Sequence, residues 1–116
     1  MTPTEMARVF LANIEATRAL MEDGQNGYIL HDDSAMRFIC QRRNEPLRLG
    51  TPQDDDVSVF TTHASAVVAQ RWWNHHHPDN KVKVSLRREA LVAYIDQQQE
   101  AVDTLMQFVE IEKVMR

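Results

Sequence analysis

From Arg87 to about Met115 the chain contains neither proline nor glycine. Within that stretch Leu91, Ile95, Val102, Leu105 and Val109 recur at helical spacing, with Tyr94, Met106 and Phe108 beside them. The pattern predicts one helix about 42 Å long at 1.5 Å per residue. Gln98 stands where the same stripe calls for another apolar residue. A sheet of short strands covers only part of such a helix. Its far end therefore needs a second partner, either an N-terminal helix or another copy of the chain. Leu105, Phe108, Val109 and Met115 are the candidate dimer-interface residues, because this end is apolar on more than one side.

The opening supplies a helix of comparable size. Thr2 is an N-cap, Pro3 takes the first helical position, and Glu5 completes a capping box. Met6, Val9, Phe10, Ile14, Thr17, Leu20 and Met21 follow at helical spacing, and Gly24 ends the run.

Between the two helices the period changes. Tyr28 to His31 and Met36 to Arg42 read as the strands of a hairpin around the turn Asp32-Asp33-Ser34. Asn44 to Asp56 holds two prolines, a glycine and three consecutive aspartates, and reads as a loop with a short extra strand near Leu47 to Leu49. Val57 to Phe60 is the expected third strand. Thr61 or Thr62 then caps a helix whose inner face is Ala64, Val67, Val68 and Trp72, and Pro78 stops it. Lys81 to Leu86 alternates, with Val82, Val84 and Leu86 inward. The order is α-β-β-β-α-β-α. The fold class is α+β: a small antiparallel or mixed sheet of about four strands with three helices on one face, in a single domain over residues 1–116.

Apolar residues are 43% of the chain and charged residues 26%, ordinary for a globular domain. Cys40 is the one cysteine, so no intrachain disulfide forms, and a lone thiol in an apolar stretch fits a reducing compartment. No signal peptide and no run of about twenty apolar residues is evident, so the expected location is cytoplasmic, away from membranes. The net charge of −4 divides unevenly. Residues 1–33 and 89–116 each carry −4, and residues 34–88 carry +4. Such a polar distribution suits an interaction surface.

The segment Val57-Ser58-Val59-Phe60-Thr61-Thr62, followed by Ala66, Ala69 and the return strand Val82-Lys83-Val84, resembles small phage and prophage accessory proteins. The resemblance covers roughly residues 28–86 and rests on pattern. Many such proteins inhibit bacterial functions, the anti-CRISPR proteins among them, and they share no common motif, so no residue is carried over. The resemblance implies a non-enzymatic inhibitor of phage or mobile-element type that binds a bacterial protein or ribonucleoprotein in the host cell.

Read from the residues, the candidate partner-binding set is Arg37, Arg42, Arg43, Arg48, Trp73, Lys81, Lys83 and Arg87. The cations alternate outward from strands, and Trp73 projects beside the inner stripe on which Trp72 lies. A nucleic-acid groove is the alternative use of that face, with Tyr28 as its plausible stacking residue; the acidic total charge works against it. A second alternative is a metal-dependent enzyme drawing on His31, His63 and His75 to His77. Adjacent helical residues diverge by about 100°, so the triple histidine cannot converge on one ion and no metal is expected there. Asp54 to Asp56 lack the spacing and the glycine of a calcium loop and read as a solvated turn. No nucleophile elbow or phosphate loop appears, so no catalytic residue and no cofactor is assigned.

Overall fold

A computed structural model describes residues 1–115, with the Glu112 side chain left aside. It contains α1 (Pro3–Met21), β1 (Tyr28–His31), β2 (Phe38–Cys40), β3 (Arg48–Gly50), α2 (His63–His76), β4 (Lys83–Leu86) and α3 (Arg87–Met115). The order is the expected α-β-β-β-α-β-α, the class is α+β, and the sheet is wholly antiparallel. Its strands run β3-β2-β1-β4, so β4 comes from the far side of the sequence to pair with β1, with Ile29 opposite Ser85. No helix among the described residues is long and apolar enough to cross a membrane.

The helices lie on both faces of this sheet, not on one. In β1 and β2 successive residues are buried in opposite directions. Ile29 and Phe38 join Ala90, Leu91 and Tyr94 of α3, with Leu20 and Met21 of α1 against them. Leu30 and Ile39 join Ala66 and Trp73 of α2, together with Val82. The short central strands are therefore apolar without alternation, as strands covered on both sides must be.

The third strand is also displaced from its expected place. Arg48–Gly50 pairs with β2, whereas Val57 and Phe60 make only isolated bridges, to Cys40 and Tyr28. Gly27 permits the Phe60 crossing: at its φ of +146° a Cβ would come 2.7 Å from Val59 Cγ1 and 2.8 Å from the Phe60 carbonyl.

Thr2 caps α1 as expected, its hydroxyl accepting from the Glu5 amide at 3.2 Å. The buried face of α1 is Ala7, Ile14 and Thr17, while Met6 and Val9 are exposed. α1 and α3 run antiparallel, tied at Asn13 to Gln98 and at Leu20 to Arg87. Gln98, the polar residue in the apolar stripe, is 2% exposed; its carbonyl accepts from Asn13 Nδ2 at 3.2 Å. Gln97 donates to the Ser34 carbonyl in the β1–β2 turn, where α3 passes the end of the sheet. Beyond that point α3 continues beside α1.

Candidate interaction surfaces

Several cations of the expected partner-binding set are tied into the protein itself. Arg87 is 9% exposed. Its guanidinium is bidentate to Asp23 at 3.0 and 2.9 Å and also donates to the Gln25 and Leu20 carbonyls. It thereby closes the C-terminal end of α1, whose last carbonyls lack helical partners. The Gln25 amide, and then Arg87, hold the Asp23 carboxyl below its ordinary range. Arg87 is therefore corrected from a surface residue to a structural one, because a strand-to-helix junction packed on α1 turns it inward.

Arg48 is likewise engaged, 2.5 Å from Asp56 and 3.6 Å from Asp54, with Arg42 3.5 Å from the same Asp56 oxygen. Asp54 and Asp56 are thus half-buried ion-pair partners, not solvated turn residues. The second Asp56 oxygen is buried with no hydrogen-bond partner, so this carboxylate depends on its two arginines. Cys40 Sγ and carboxylate oxygens of Asp54 and Asp56 lie within 4.8 Å of one another. Burial pushes the Cys40 thiol up to about 11, which keeps the sulfur protonated. The positive charge beside this cluster comes from Arg48 and, at Asp56, from Arg42 as well. Arg37, Arg43 and Lys81 are exposed, and Lys83 reaches only the fully exposed Asp33, at 4.0 Å.

The tryptophans exchange their expected roles. Trp73 is 3% exposed and Trp72 47%. Trp73 donates from Nε1 to the Asn80 carbonyl at 2.7 Å and stacks on His77 with ring centres 3.7 Å apart. The correction has a physical cause. The inner side of α2 carries the polar Gln70 and Asn74, whose amides bond the Val82 backbone. Hydropathy alone therefore points to the wrong face. The outer side presents Val68, 69% exposed, with Arg71, Trp72 and His75. The indole of Trp72 stacks on His76 at 4.3 Å, and His76 Nδ1 hydrogen-bonds the Trp72 carbonyl at 2.8 Å.

The remaining histidines have separate engagements. His63 meets Tyr28 edge-on at 5.4 Å. His31 is buried; its Nδ1 lies 2.6 Å from the Asp32 carbonyl and its Nε2 2.7 Å from Ser85 Oγ. Burial pushes the His31 imidazole below its ordinary value. The neutral ring then donates from Nδ1 to the carbonyl and accepts the Ser85 proton at Nε2.

Of the expected dimer-interface residues, Val109 is 8% exposed, and the antiparallel run of α1 places the start of that helix beside it. It is corrected to an intrachain core position. Leu105 is half-buried. Phe108 and Met115 are exposed, with Ile111 and Val114 of the same apolar segment exposed beside them. Compared with protein-family models, curated proteins and solved structures, the chain matches none of them significantly.

Proposed function

We propose that the chain is a non-enzymatic protein-interaction module, an inhibitor of the small phage or mobile-element type that engages a bacterial protein or ribonucleoprotein. Trp72 carries this reading. A large aromatic side chain stays half in solvent, held in one orientation by its stack on His76, with Val68 and Arg71 on the same helical face. Tryptophan and arginine dominate binding hot spots, because a rigid ring gives much contact area for little lost entropy. The resemblance of residues 28–86 to phage accessory proteins supplies the class of target. The apolar end of α3 extends the proposal to self-association, with Phe108, Ile111, Val114 and Met115 meeting a second copy in an antiparallel sense.

The test is capture from a bacterial lysate, read by mass spectrometry, with the wild type and Trp72→Ala in parallel. A defined protein or ribonucleoprotein retained by the wild type and lost by a folded Trp72→Ala variant is the expected result. Equal capture by both would remove Trp72 as the anchor. Retention of nucleic acid alone, falling steeply with salt, would replace the protein partner with a nucleic-acid one.

A further inference from the structure

The outer edge of β4 is only partly closed, and the part left open has a definite chemistry. The Arg87 amide donates to the Gly27 carbonyl at 2.9 Å, which fixes the alternation of the ladder with β1. Lys83, Ser85 and Arg87 turn their backbone groups toward β1, and Val82, Val84 and Leu86 turn theirs away. At Val82 the outward groups are satisfied: its amide donates to Asn74 Oδ1 at 2.8 Å, and its carbonyl accepts from Asn74 Nδ2 and Gln70 Nε2 at 3.1 Å. The Asn74 amide thus stands in for one residue of a neighbouring strand. Among the described residues nothing does the same for the Val84 amide and carbonyl or the Leu86 amide. Beside this open stretch, Leu86 is 45% exposed and Val84 half-buried on the α2 side of the sheet, and Lys83 lies on the other side.

We propose that the Val84–Leu86 edge receives an extended segment of a partner protein in which apolar and acidic residues alternate. The main chain of that segment pairs with Val84 and Leu86; its apolar residues cover Val84 and Leu86, and its carboxylates meet Lys83 and Lys81. Strand addition of this kind takes its affinity from the backbone and its selectivity from alternate side chains. A second copy is a poor occupant. Pairing β4 with itself brings the Lys81 and Lys83 charges of both copies to one seam, and lysine on an edge strand disfavours that pairing. The proposal rests on the reading of the chain as a protein-interaction module, but it uses a surface separate from Trp72.

The experiment uses the full chain, 15N-labelled, and two blocked octapeptides, one alternating glutamate and valine and the other alternating lysine and valine. In the free protein the Val84 and Leu86 amides are expected to exchange with solvent far faster than those of Lys83 and Ser85. The glutamate-valine peptide should shift both amides and slow their exchange by about tenfold or more at saturation. Lys83→Glu should weaken that peptide by about tenfold and admit the lysine-valine one. Val84→Pro removes no bond of the ladder, since its amide faces outward; it should keep the circular dichroism spectrum and lose the peptide. Slow exchange at Val84 and Leu86 in the free protein, unshifted amides at millimolar peptide, or equal binding of the two peptides would each overturn the proposal. Trp72→Ala should bind the glutamate-valine peptide as the wild type does. A loss there would move the peptide to α2 and refute the edge assignment, whereas failure of lysate capture alone bears only on the α2 anchor.

Discussion

His31 gives the protein an acid-sensitive point. Its imidazole is buried, lies near Lys83, and has both nitrogens committed to Asp32 and Ser85. Burial lowers its folded-state pKa below the unfolded value of about 6.5. Between those two values the unfolded chain binds the proton and the folded chain does not, so stability rises with pH. The His31 contribution is fully present above about pH 6.5 and is lost as pH falls toward the folded pKa. Urea midpoints measured at intervals from pH 7.5 to 5.5 should therefore fall for the wild type, and fall less for His31→Gln. Parallel slopes for the two proteins would refute this role. Asp23, lowered by the Gln25 amide and Arg87, adds acid sensitivity of the same sign, but in the carboxylate range below this window. At this scale the sequence shows His31 as a strand residue beside acidic neighbours and as a candidate metal ligand, not as a buried hydrogen-bonded ring. Its burial depends on Ser85 arriving from the opposite end of the chain, which no local pattern reveals.

Among the elements, those with strong local signals are the legible ones. Thr2, Pro3 and Glu5 mark the start of α1, the absence of proline and glycine marks α3, and both lie where expected. β3 is harder to read because Arg48–Gly50 is three residues long and sits among prolines and aspartates; its pairing with β2, more than its composition, makes it a strand. Val57 to Phe60 has the better strand composition, yet β2 already pairs with β1 and β3, leaving only bridges to Cys40 and Tyr28. On α2 the reading fails for a different reason: Gln70 and Asn74 face inward because they bond a strand edge, so the polar side of the helix is not its solvent side. This implies a cost for removing Asn74. Asn74→Ala leaves the Val82 amide without its acceptor and should destabilise the fold by about 1–2 kcal/mol, measured by urea denaturation. A change within about 0.3 kcal/mol would mean that water replaces the side chain there.

The molecule measures 56 × 33 × 23 Å, and its radius of gyration is 16.5 Å. A compact chain of this length has about 13 Å, and the excess comes from α1 and α3 running past the sheet. Light scattering over a range of concentrations tests what that extension does. The wild type should approach a dimeric mass, while Phe108→Glu combined with Met115→Glu should stay monomeric with unchanged circular dichroism. A wild type that is monomeric at every concentration would leave the end of α3 to a different partner. The pairing of β1 with β4 has a further consequence, for synthesis on the ribosome. The free side of β1 and the inner side of α1 are made early, yet their covers, β4 and α3, are made last. At about 5–20 residues per second, several seconds separate them. Through that interval the nascent chain presents an open strand edge and an apolar helix face, and only completion of α3 closes both.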